Sequence, residues 1–245
     1  MKKLLLYVFV LMICLAAACK KDNQNKKIYL LKEEIINEAS QGSQPDTTTY
    51  TYDDNNRMKT IVTGSHPGQL SYTINYDGQG RVSIGKKFNN NGALVIEYDF
   101  FYRADTIGYY SYGPNFAHDT TVFIFNDKKQ MVKKQTKQSG YQVLTYDSRG
   151  NVSSLEYFNA DGSNDLYNYI NYEYDAQKNP FVDMAPNNYF FMYLAYDDES
   201  SLINNVVLKN ADTYIYTYNS DGFPVKAMAN VGRTSASISY NYIIK

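Results

Sequence analysis

Tyr72-Thr73-Ile74-Asn75-Tyr76-Asp77-Gly78-Gln79-Gly80-Arg81-Val82 decides the fold. Side chains alternate between faces along a strand, so Tyr72, Ile74 and Tyr76 share one side while Thr73 and Asn75 share the other. An Asp side chain bonds its own backbone two residues on, and Gly accepts positive φ. Asp77 to Gly80 therefore reads as a tight turn, and Val82 as the start of a returning strand.

The same grammar recurs along the chain. Aromatic-Asp or aromatic-Asn pairs stand at Tyr52-Asp53, Tyr76-Asp77, Phe125-Asn126, Tyr146-Asp147, Tyr174-Asp175, Tyr196-Asp197, Tyr218-Asn219 and Tyr240-Asn241, with a degenerate copy at Tyr102. From Tyr174 onward each step is 22 residues. Residues two and four before the aromatic are apolar: Tyr98 with Phe100, Ile170 with Tyr172, Met192 with Leu194, Tyr214 with Tyr216. The residues between them, such as Glu97, Asp99, Thr145, Asn171 and Thr217, are polar. One face belongs to a core and the other to water. Met58, Val82, Val132, Val152, Leu202 and Val225 open the return strands, which then drift out of phase, and Pro180 and Pro224 lie at or near strand starts. The abundance of tyrosine, 26 Tyr beside 12 Phe and no Trp, favours strands.

The repeat resembles that of YD-repeat, or RHS-type, proteins, most of all the small lipoproteins of Bacteroidetes type that carry it. The full motif, Tyr-Asp-x-x-Gly-Arg plus an apolar residue, is met around Tyr76. The likeness implies an antiparallel β-hairpin array and no activity, such repeats being scaffolds. The expected fold is all-β: an antiparallel meander of hairpin repeats of about 22 residues, rolled or closed into a flattened barrel or shell. Counting both halves of every repeat gives about 18 strands, beyond the ~10 that an open sheet holds before it curls, splits or flattens. Ile28 to Glu38 reads as a lone return strand, although Ile28, Leu31, Ile35 and Ala39 also fit helical spacing. Ser235 to Ile244 reads as a lone leading strand, so the termini can pair and cover both edges.

Ahead of the repeats, Lys2 and Lys3 precede an uncharged, mostly apolar run from Leu4 to Ala18, the pattern of a secretory signal. That run is shorter than the ~20 residues needed to span a bilayer as a helix. Leu15-Ala-Ala-Ala-Cys19 resembles the lipobox of bacterial lipoproteins, which implies lipid on Cys19. The expected organisation is a signal at 1–18, the lipidated Cys and a polar tether at 19–27, and a single repeat domain at 28–245. The implied place is the outer membrane of a Gram-negative bacterium, facing the periplasm or the cell surface.

Composition excludes several functions. Cys14 lies within the signal, leaving no disulfide framework and no thiol metal site in a mature chain. The net charge of −1 offers no basic stripe for nucleic acid. Only His66 and His118 are present, too few for a histidine metal site or triad, and no phosphate-cradling or nucleophile-elbow motif appears. No cofactor and no catalytic or metal-binding residue is expected. Asp53, Asp77, Asp147, Asp175 and Asp197 read as turn residues, and Asn159 to Asp165 as a polar hairpin loop despite a calcium-like spacing.

Two stretches break the repeat, and function concentrates on loops that depart from a scaffold. Asp105 to Thr120 carries Tyr109, Tyr110, Tyr112, Phe116 and His118, and Asp183 to Phe191 carries Asn187, Asn188 and Tyr189. Clustered Tyr with Asn can stack on a sugar and hydrogen-bond it, or anchor a protein. The bland reading is a longer hairpin whose aromatics fold back on the core. The expected function is a membrane-anchored, non-catalytic module binding a glycan or an envelope protein. A structural role in the envelope is the alternative, followed by a hydrolase using paired carboxylates.

Overall fold

A computed structural model describes residues 27–38, 44–64, 68–104, 106–114, 116–137, 139–165, 168–184 and 203–245. The strands are β1 (Tyr29–Glu38), β2 (Asp46–Tyr52), β3 (Met58–Thr63), β4 (Leu70–Tyr76), β5 (Val82–Phe88), β6 (Leu94–Arg103), β7 (Thr106–Gly113) and β8 (Phe116–Phe125). They continue as β9 (Met131–Thr136), β10 (Gly140–Tyr146), β11 (Val152–Phe158), β12 (Ile170–Lys178), β13 (Asn204–Lys209), β14 (Asp212–Tyr218), β15 (Pro224–Val231) and β16 (Thr234–Ile244). Consecutive strands pair antiparallel, and β1 pairs with β16, so the meander closes into a barrel. The terminal half-repeats do cover each other's edges, and no helix occurs among the described residues.

The Tyr-Asp signature has a repeated physical basis. At Asp77 one carboxylate oxygen accepts the Gln79 and Arg81 amides at 2.9 Å each. The other accepts Arg81 Nε at 2.8 Å. The Asp77 amide donates to the Arg81 carbonyl and the Gly80 amide to the Asp77 carbonyl. These bonds hold the Asp77 carboxyl below its ordinary range, the Arg81 amide contributing most. Asp53, Asn126, Asp147 and Asn219 accept the same two amides in their own turns. The fourth turn residue has positive φ in each, as Asn56, Gly80, Lys129, Gly150 or Gly222. That geometry explains why Gly recurs there.

The tyrosine reaches backward. Tyr52 donates its hydroxyl to the Leu31 carbonyl, Tyr76 to Met58, Tyr102 to Val82 and Tyr146 to Met131, over 2.5–2.8 Å. Each acceptor lies near the start of the previous return strand. The arginine reaches forward: Arg57 lies 4.3 Å over the Tyr76 ring and Arg81 4.3 Å over the Tyr102 ring. At the closing seam this bond belongs to Tyr242, which donates to Pro224, and Tyr240 is a core residue.

The return strands drift where they are bulged. Tyr76 pairs with Val82 but Asn75 pairs with Ile84, which leaves Ser83 as an extra residue. Equivalent shifts occur beside Tyr52, Phe125, Tyr146 and Tyr218. One inserted residue flips the rest of the strand to the other face.

Two departures from expectation concern the region after β12. About 18 strands are expected and 16 form among the described residues. Pro180 opens no strand. Residues 179–184 instead turn, with the Val182 amide bonding the Asn179 carbonyl and the Asn179 side chain accepting the Phe181 amide. Pro180 occupies the turn position that its fixed φ favours. Phe181 then meets Tyr50 edge to face at 5.6 Å, and Met184 is buried in the core. The wall passes directly from β12 to β13. Leu202 and the Tyr196-Asp197 copy lie outside the described residues, as do Met192, Leu194, His66 and the signal with Cys19.

The interior is filled by the apolar face in two clusters. One gathers Leu31, Tyr50, Met58, Ile61, Tyr72, Ile74, Val82 and Tyr240. The other gathers Tyr98, Tyr109, Phe123, Leu144, Val152, Leu155 and Tyr172. The register turns Thr51, Thr60, Thr73, Asn75, Glu97, Asp99, Thr145, Asn171 and Thr217 to the outside, each opposite the buried positions of its own strand.

Candidate binding site

The first break in the repeat falls on a wall hairpin, β7 and β8, in which Gly113 pairs with Phe116. Regular pairing therefore divides its aromatics between the two faces. Tyr109 points inward and is buried, edge to face with Tyr98 at 5.3 Å. It belongs to the core, as the bland reading had it. Tyr110 points outward, is 45% exposed, and lies 5.0 Å from the Phe101 ring. Tyr112 is also on the outer wall, opposite Glu97. His118 is exposed, its ring 5.5 Å from that of Tyr112. Phe116 begins β8. Asn187, Asn188 and Tyr189 lie outside the described residues.

Around Tyr112 the wall has built a polar centre. Its hydroxyl lies 3.0 Å from Glu97 Oε1 and 2.8 Å from Asp99 Oδ2, one proton serving two carboxylates. Lys86 on β5 holds Glu97 at 2.9 Å. The Lys86 hydrogen bond keeps the Glu97 carboxyl below its ordinary range, with burial opposing and Tyr112 adding. Hydrogen bonding to Asp99, then burial and Glu97, pushes the Tyr112 phenol well above its own. Tyr112 therefore stays a neutral donor, and the acids face outward as fixed acceptors. Tyr110, Tyr112 and His118 supply ring faces beside them. Such a wall can accept hydroxyl protons and stack on a ring.

No family model matches the chain, and no curated protein matches it. Among solved structures, it is similar to a porin-like protein from Bacteroides uniformis, seen in a crystal structure. Identity is 12%, the TM-score is 0.54, and the match covers 87% of this chain and 98% of that one. At that identity the likeness speaks for the barrel fold alone.

Glu97, Asp99, Lys86 and Phe101 escaped the sequence reading, where Glu97 and Asp99 counted only as polar-face residues. Their signal was two acids at i and i+2 on a strand that leads into a tyrosine-rich hairpin, but choosing the opposing tyrosines needs the β6–β7 register. The calcium-like stretch is a turn: Asp161 Oδ1 accepts the Ser163 amide at 2.9 Å and its hydroxyl at 2.7 Å. Among the described residues no group of three or more His, Cys, Asp or Glu is placed to hold a metal ion.

Proposed function

We propose that this chain is a lipid-anchored, non-catalytic β-barrel of the cell envelope that binds a glycan on the outer wall of β6 to β8. The observation that carries the reading is the Tyr112 hydroxyl set between Glu97 and Asp99, with Tyr110 and His118 exposed alongside. The Tyr112 hydroxyl fills the gap between the two acids, where a glycosidase needs room for the scissile bond. That supports binding without turnover. The Tyr-Asp turns support kinship with the YD-repeat scaffolds, and the lipobox-like Cys19 supports the anchor.

The outer face supports a barrel held off the bilayer by its tether. A membrane-spanning barrel presents an apolar band to lipid. Here the wall carries Lys86, Glu97 and Asp99 on β5 and β6, and Glu33 bonds Asn241 across the seam at 2.9 Å. The similar porin-like barrel from Bacteroides uniformis supports an envelope setting.

An assembly role is the second reading, favoured by Ile215 and Met228. They are cross-strand neighbours on the outer wall, 67% and 42% exposed. A glycan array with the wild-type protein and Tyr110→Ala decides between them. Binding that weakens tenfold or more in the variant is expected. An empty array, with stable co-purification of one envelope protein lost in Ile215→Ser, sinks the glycan reading.

A further inference from the structure

On the outer wall, a groove of about 260 Å³ lies between the β9–β10 hairpin and the loop after β11. Its floor is built by close approach. Gly140 has φ +90, and a Cβ there would fall 2.1 Å from the Phe158 carbonyl oxygen. Tyr141 can therefore stack on Phe158, at 4.7 Å and 7°. Lys133 Nζ sits 3.8 Å from the centre of the Tyr141 ring, which fixes an ammonium over an aromatic floor. Lys137 and Gln135 form one lip, and Asp161 the other.

The charge of the groove is uncommitted. Neither Lys133 nor Lys137 makes an ion pair with a described residue. Two lysines facing one aspartate favour an anion, and the ring, glutamine and carboxylate suit a hydroxylated ring. The volume is below the roughly 300–1,000 Å³ of a drug-sized pocket, which suits a single ring. The groove also adjoins the wall above. Tyr110 pairs with Thr120, and the Thr120 carbonyl accepts the Lys137 amide at 3.0 Å.

We propose that this groove is a subsite for an acidic sugar: it takes a uronic acid unit of a glycan whose neutral units lie along β6 to β8. The inference rests on the glycan reading above. The test is calorimetry on the full-length protein in detergent with two probes, a galactose oligosaccharide ending in one galacturonic acid and the same oligosaccharide with that carboxyl group reduced to an alcohol. The acidic form is expected to bind at least tenfold more tightly. That advantage should disappear in Lys133→Gln/Lys137→Gln and shrink with added salt, while the reduced form binds that variant as it binds wild type. Equal binding of the two probes to wild type, or an acidic preference that survives the double substitution, overturns the subsite. If the reduced form still binds in a Tyr110-dependent way, the wall reading survives that loss. If the acidic form binds through Lys133 but Tyr110→Ala changes nothing, the groove stands and the wall reading fails. Binding of neither probe overturns both.

Discussion

The Tyr76 hydroxyl donates to the Met58 carbonyl at 2.5 Å, and its ring carries the Arg57 guanidinium. One side chain thus ties a repeat to the one before it. A buried hydrogen bond of this kind contributes about 1 kcal/mol, and truncating a buried aromatic ring costs about 3–5 kcal/mol. Tyr76→Phe should lower stability by about 1 kcal/mol and Tyr76→Ala by about 3 kcal/mol or more, read from urea denaturation. Equal losses in the two variants would mean that the ring contributes nothing beyond its hydroxyl. The sequence showed which residue types recur but not why. Alternation and turn chemistry are local, so Asp77, Gly80 and the apolar phase were legible. The tyrosine's acceptor lies 18 residues upstream, and no local pattern points to it.

At the scale of the strand, Gly108 on β7 is opposite Phe101 on β6, and the Phe101 ring covers it. A Cβ there would fall 2.4 Å from Phe101 Cζ and 2.7 Å from the Thr121 carbonyl oxygen. Gly108→Ala should therefore cost about 1–3 kcal/mol by overpacking and displace Phe101 from beside Tyr110. An unchanged thermal midpoint would contradict that packing. The β1 strand carries a second strand-scale feature. Glu34 faces inward, opposite Thr48 on β2 and Tyr240 on β16, with the Tyr50 hydroxyl 3.4 Å away. Burial pushes its carboxyl up to about 7, Tyr50 opposes the shift, and Asp46 adds to it. Tyr216, Tyr240 and Tyr242 also feel its charge. The folded state then holds a proton that the unfolded chain releases at lower pH, so stability falls as pH rises from about 4.5 to about 7. Glu34→Gln should flatten that part of the pH–stability curve and leave the protein relatively more stable above pH 7. Parallel curves for the two proteins would show that Glu34 ionises as it does in water. Nothing in the sequence marked Glu34, because its face depends on the register at the seam.

For the molecule as a whole, the polarity of the two faces and the pairing of the terminal half-repeats were readable from the repeat phase. Closure follows from them, since a sheet of this many strands curls and its two ends are complementary. Two things were hidden. The turn at Asn179 to Val182, with Phe181 and Met184 packed against the core, stands where the repeat phase places a return strand near Pro180. The outer-wall site joins residues of β5, β6, β7 and β8, and only the cross-strand register sets them side by side. The core requires β1 to meet β16, since Leu31 of β1 and Tyr240 of β16 share one cluster. Ile35 on β1 pairs with Ser239 on β16, and cross-strand partners lie within the Cα range of a disulfide. The decisive experiment is oxidation of Ile35→Cys/Ser239→Cys in the full chain, followed by non-reducing electrophoresis and peptide mass mapping. A closed barrel gives an intramolecular disulfide between the two introduced thiols in nearly every molecule, with the stability of the protein retained. Free thiols, or links formed only between molecules, would mean that the sheet is open.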